Sequence, residues 1–176
     1  MEKGLIHIYT GEGKGKTCSS MGLCIRAVGA GKKVFILQFL KTPTSSELNI
    51  LKNLAPQVEI LKFEKPRGFF WTLSGEERQE LSNEVKKAFA FATVCMKNKD
   101  CDMIILDEVM GAITNKLLDT SEVVEALRNK HEQIEVVLTG RDAPQELIDI
   151  AHYVSEIKCI KHPFKQGIAS RKGVEY

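Results

Sequence analysis

The sequence predicts a three-layer α/β domain built on a mostly parallel central sheet. Short apolar runs alternate with helical patterns along the chain, the rhythm that β-strand–helix–β-strand units produce. Met103–Leu106 is almost continuously apolar, as a strand covered on both faces must be. A glycine-rich stretch stands between the first strand and the first helix, where such folds hold anionic ligands.

Leu5–Tyr9 reads as the first strand. A helix over 16–28 follows, with Met21, Cys24, Ile25 and Val28 on one stripe, and Gly29 and Gly31 end it. Val34–Phe39 is a second strand, Pro43–Asn53 a short helix and Val58–Phe63 a third strand. Ser74 and Glu77 form an S-x-x-E capping box. The helix it opens places Leu81, Val85, Ala88, Phe89, Ala92 and Cys95 along one face. After the Met103–Leu106 strand come a helix over Thr120–Lys130, a strand over Ile134–Leu138 and a helix starting at Pro144. A last strand is expected near Tyr153–Ile160.

The 176 residues carry no internal repeat or linker, so a single domain over 1–176 is expected. With 25 basic and 23 acidic side chains, the net charge of +2 argues against nucleic-acid binding driven by bulk charge. No apolar run reaches the length of a membrane span, and no signal peptide is visible. The five cysteines are odd in number and form no C-x-x-C pair, so free thiols and a cytoplasmic location are expected.

The stretch Thr10-Gly11-Glu12-Gly13-Lys14-Gly15-Lys16-Thr17 is the most informative. Glycines let successive N–H groups turn inward around anionic oxygens, and the following helix adds its positive end. Lys16 suits phosphate, and the Thr17 hydroxyl suits magnesium. The usual G-x-x-x-x-G-K-[ST] pattern has glycine where this chain has Thr10. The order strand, loop, Lys-Thr, helix nevertheless favours a nucleotide phosphate site over a flexible turn. Asp107 and Glu108, just past a buried strand, are the candidate metal-linked acids, with either able to face the ion. Thr139-Gly140-Arg141 ends another strand on the same edge, where Arg141 has two readings: a phosphate contact or a surface ion pair. Arg26 belongs to a polar helix face. Gly68-Phe69-Phe70-Trp71-Thr72 gathers the single Trp with two Phe; if extended, Phe69 and Trp71 point to one side. By themselves these residues define a nucleotide-using domain, with hydrolysis, phosphoryl transfer or another displacement all open.

The ordered set Gly11-Glu12-Gly13-Lys14-Gly15-Lys16-Thr17, Arg26-Ala27-x-Gly29-x-Gly31, Leu106-Asp107-Glu108, Thr139-Gly140-Arg141, Lys161-His162-Pro163-Phe164, Gly167-Ile168 and Gly173-Val174-Glu175-Tyr176 resembles the phosphate-loop ATP:corrinoid adenosyltransferase family. The resemblance spans nearly the whole chain. It implies a RecA-like P-loop NTPase fold, commonly dimeric, that moves the 5′-deoxyadenosyl group of ATP onto a reduced Co(I) corrinoid and releases triphosphate. It implies Mg²⁺ (or Mn²⁺) with ATP, Lys16 and Thr17 as catalytic groups, and Gly11 to Thr17 with Arg141 around the nucleotide. Metal-linked roles fall to Thr17, Asp107 and Glu108. The family's Phe-x-Trp pair maps onto Phe69 and Trp71, which would hold the corrinoid without its lower axial base and ease reduction of Co(II). An electron donor such as flavodoxin or another reduced flavoprotein is implied as partner, as is a homodimer. ATP lies reversed along the loop in this family. Family members often carry an N-terminal extension over the site; only three residues precede Gly4 here, so that lid is expected to be missing or supplied otherwise. Cys18 stands where a second threonine is often found. The competing class is a phosphate-loop ATPase or small-molecule kinase.

Overall fold

The computed structural model describes residues 3–40 and 45–175. Six strands form one all-parallel sheet: β1 (Ile6–Thr10), β2 (Val34–Gln38), β3 (Val58–Leu61), β4 (Met103–Asp107), β5 (Glu135–Thr139) and β6 (Tyr153–Glu156), in the order β3-β2-β4-β5-β1-β6. The order is that of a RecA-like fold. Strand β5 lies between the strand that feeds the glycine loop and the strand that ends in Asp107.

Alternation along the strands decides which layer each side chain joins. Phe35, Leu37, Ile104, Leu106, Val136 and Leu138 face one core, while Val34, Ile36, Met103, Ile105 and Val137 face the other. The second core is closed by α1 (Lys16–Gly29) and α2 (Glu47–Leu51). The first is closed by α3 (Gly75–Asn98), α4 (Val109–Thr114), α5 (Thr120–Arg128) and α6 (Gln145–Ile150). Both faces of the central strands are therefore dry, which is why they carry unbroken apolar runs such as Val34–Leu37, Met103–Leu106 and Val136–Leu138.

Helix α3 starts on the expected capping box: Glu77 N–H donates to Ser74 Oγ at 3.2 Å and Ser74 N–H donates to Glu77 Oε2 at 2.8 Å. All six residues of its expected stripe are buried, and Met96 extends it. Each large member contributes about 1.5–3 kcal/mol relative to exposure. On α1 the stripe is shifted: Met21, Cys24 and Ala27 are buried, whereas Ile25 is 57% exposed because it points away from the sheet. The helix expected over 43–53 begins at Glu47 and ends in a 3-10 turn over Lys52–Leu54; Pro43 and Thr44 lie outside the described residues. Strand β6 stops at Glu156, short of the expected Ile160, where the chain turns onto the glycine loop. Helix α4 was not expected; six residues are too few to set up a readable period. Cys24, Cys95 and Cys101 are buried and Cys18 and Cys159 exposed, all as free thiols.

Candidate functional site

Parallel strands all end on the same edge, so the loops after β1, β4 and β5 converge. The loop after β1 is held by backbone packing. Gly13 N–H donates to Ile157 O at 2.7 Å, and a Cβ on Gly13 would lie 2.7 Å from that same oxygen. Gly11 sits at φ 98, a conformation open to glycine. The glycines Gly11 and Gly13 thus serve close approach to the segment after β6. Lys16 is 8% exposed, and its ammonium donates to Gly11 O at 2.6 Å and Gly13 O at 2.9 Å. Burial lowers the Lys16 pKa from its ordinary value; the Glu108 carboxylate opposes that, Arg141 adds to it and Glu12 opposes it.

Asp107 ends β4 fully buried, in a polar junction. Thr17 Oγ1 donates to Asp107 Oδ1 at 3.0 Å, Thr139 Oγ1 donates to the same oxygen at 2.7 Å, and Gln38 Nε2 donates to Oδ2 at 3.0 Å. Asp107 is thus joined to the loop threonine. Glu108 is the next residue, at φ 60, and its N–H donates to Thr139 Oγ1 at 2.9 Å. Thr139 and Gln38 were not among the expected site residues. Their signal is their place at the ends of β5 and β2 beside Asp107, which only the strand order supplies.

The two loop lysines differ. Lys14 is 45% exposed at the rim and pairs with Glu175 at 3.3 Å, while Lys16 is central. Arg141 forms the surface ion pair of its second reading, with Glu12 of the glycine loop at 3.4 Å. Arg26 is exposed, as expected.

Phe69 and Trp71 share a side for a different reason from strand alternation. Residues Phe70–Thr72 form a 3-10 turn, and the two rings stack at 4.7 Å with 3° between their planes. Both remain exposed, at 60% and 73%, whereas Phe70 packs against the core and under the Arg78 guanidinium at 5.1 Å. Two large rings stacked on each other yet left in solvent form a flat apolar surface.

A sequence profile for the family described as ATP:corrinoid adenosyltransferase BtuR/CobO/CobP matches residues 2–176. The chain belongs to this family. Corrinoid adenosyltransferase from Escherichia coli (strain K12) is 32% identical over 176 residues, covering 99% of this chain and 87% of that protein. Its counterpart from a Sinorhizobium species is 34% identical, covering 99% and 81%, and that from Pseudomonas aeruginosa (strain PAO1) is 31% identical, covering 99% and 85%. The adenosyltransferase is a transferase of adenosylcobalamin formation, with ATP and a corrinoid as substrates.

The adenosyltransferase also places one unusual carboxyl beside the aromatic loop. Burial pushes Glu64 from 4.5 up to about 7; the Leu40 N–H opposes this, Glu84 adds to it and Arg67 opposes it. The folded state therefore holds this proton more tightly than the unfolded chain, so the group's contribution to stability falls as pH rises from about 4.5 to 7. Glu64→Gln, which cannot titrate, should gain on the parent by about 1–2 kcal/mol across that window, after allowance for the partial exposure of the carboxyl. Thermal melts at about pH 5 and pH 8 check this: the Tm advantage of the variant should be larger at the higher pH.

Proposed function

We propose that the junction of Lys16, Thr17 and Asp107 holds the triphosphate of ATP while the cobalt of a Co(I) corrinoid takes the 5′ carbon. The observation that carries this reading is the hydrogen bond from Thr17 to the buried Asp107, which ties the glycine loop to the end of β4. Co(I) is itself a strong nucleophile, so the transfer needs no protein base. As cobalt bonds to C5′, the C5′–O bond breaks and its electron pair leaves with triphosphate. The negative charge that develops there is met by loop N–H groups, by Lys16 and, from the rim, by Lys14 and Arg141. Such groups act most strongly when they are fixed in place beforehand. Lys16 meets that condition, because two loop carbonyls centre its ammonium.

The donors around this junction also fit Mg²⁺. Thr17 and Asp107 offer hard oxygens, with Glu108 adjacent, and no cluster of three or more His, Cys, Asp or Glu occurs among the described residues. That is the pattern for an ion shared with substrate phosphates rather than caged by protein alone. When bound, Mg²⁺ would supply positive charge to the triphosphate oxygens.

In this reading Phe69 and Trp71 form the corrinoid platform. Their exposed, mutually stacked rings support it, since a flat apolar face suits a flat macrocycle. Displacing the lower axial base there would ease reduction of Co(II), with the electron supplied by flavodoxin or another reduced flavoprotein. A homodimer belongs to the same reading, supported by the edge strand β6, all four residues of which are exposed. A cytoplasmic location is supported by the five free cysteines, and no described helix is long and apolar enough to cross a membrane.

The phosphorus product tests the assignment. Anaerobic incubation with Mg·ATP and prereduced corrinoid should yield triphosphate in step with the absorbance of the alkylated cobalt product. ADP or orthophosphate as the primary product, formed without alkylated cobalt, would point to an ATPase or kinase.

A further inference from the structure

Two segments assigned to different substrates meet at one carboxylate. At the end of β2, Gln38 Nε2 donates to Asp107 Oδ2 at 3.0 Å, and Phe39 N–H donates to Asp107 O at 2.9 Å. The next residue, Leu40, has φ 52, a left-handed conformation that branched side chains rarely adopt. Its N–H is taken by both oxygens of Glu64, at 2.9 and 3.1 Å. A residue in this conformation persists where its surroundings hold it. Here the hold comes from a loop 24 positions further along the chain.

That loop leads directly to the aromatic pair, and its far end is also tied down. The Arg67 guanidinium is 8% exposed and donates to Glu80 at 2.6 Å and Glu84 at 3.1 Å, both on α3. Lys65 donates to Glu80 at 2.7 Å, and Ser74 caps the helix. Phe69 and Trp71 are thus carried on a span fixed to α3 at one end. At the other end the Glu64–Leu40 contact links it to the nucleotide side.

We propose that Glu64 is a positioning residue: by clamping the backbone of Leu40, it sets the Phe69–Trp71 platform relative to the junction at Asp107. The proposal rests on the reading of Phe69 and Trp71 as the corrinoid platform. Glu64 touches neither reacting group; it acts through the loop.

The test compares steady-state kinetics on prereduced corrinoid for the parent enzyme, Glu64→Ala, Glu64→Asp, Glu64→Gln and the double variant Phe69→Ala/Trp71→Ala. Glu64→Ala should raise the KM for corrinoid about tenfold, the size expected from one lost hydrogen bond to a backbone N–H, and leave the KM for Mg·ATP within about twofold. Glu64→Asp, one methylene short, should behave like Glu64→Ala and replaces it if the alanine variant does not fold. Glu64→Gln keeps an oxygen that can accept from Leu40 N–H and should restore most of the corrinoid KM. An unchanged corrinoid KM in Glu64→Ala and Glu64→Asp, alongside a raised one in the double aromatic variant, overturns the role of Glu64 and leaves the platform standing. An unchanged corrinoid KM in the aromatic variant as well removes the platform, and the proposal with it. Equal rises in both KM values without rescue by Gln, or melting of all three Glu64 variants below the assay temperature, reduces Glu64 to a structural loop anchor and overturns the proposal.

Discussion

Lys16→Ala is expected to lower turnover on prereduced corrinoid by about two to three powers of ten, the usual effect of removing one fixed donor from a site of developing negative charge. Lys16 is buried, centred by two carbonyls and next to the Thr17–Asp107 junction, so solvent cannot replace it at that position. The comparison with Lys14→Ala sharpens the expectation. Lys14 is half in solvent and paired with Glu175, so its removal should have a much smaller effect. Both rates come from the absorbance of the alkylated cobalt product at saturating Mg·ATP. A near-parental rate for Lys16→Ala, in a variant with a parental melting curve, would falsify the assignment of the loop as the triphosphate cradle.

Replacing both Phe69 and Trp71 by alanine should impair adenosylation from Co(II) more than adenosylation from chemically prereduced Co(I). The stacked pair is mostly in solvent, so its removal should leave stability nearly unchanged and isolate the effect on substrate. Starting from Co(I) bypasses the reduction step, and only the binding contribution of the rings is then lost. If the pair displaces the axial base, starting from Co(II) adds the loss of that displacement. Removing two aromatic contacts of this size is expected to reduce the Co(II)-start rate by at least about tenfold beyond the Co(I)-start loss. Equal losses in the two assays would reject a role in reduction and leave Phe69 and Trp71 as a binding surface alone.

Local rules account for much of what was readable in the sequence. The capping box of Ser74 and Glu77 acts within one turn, and the stripe on α3 repeats for long enough to reveal its period. The glycine loop was legible because its strand, glycine-rich turn and helix are consecutive in the chain. Asp107 was legible as a buried-strand terminus, but its hydrogen bond from Thr17, ninety positions away, is set by the tertiary structure. Gln38 stayed hidden because an isolated Gln at a strand end has no pattern of its own, and Thr139, singled out with Gly140 and Arg141, gave no sign of its contact with Asp107. The geometry of Phe69 and Trp71 was read through strand alternation, whereas a 3-10 turn brings the rings together. Ile25 looked like part of an apolar face because four residues cannot distinguish the sheet-facing edge of a helix from its neighbour.

By itself the sequence determined the α/β class, most of the strand and helix positions, the glycine-rich turn between β1 and α1, and the family, since each is written in neighbouring residues or in an ordered set of short motifs. Only the tertiary structure decided which side chains share the buried junction at Asp107, why Lys16 differs from Lys14, and how Glu64 joins the aromatic loop to β2. The physical reason is the parallel sheet. Its order β3-β2-β4-β5-β1-β6 brings the ends of distant segments to one edge, and hydrogen bonds between those ends leave no periodic trace along the chain.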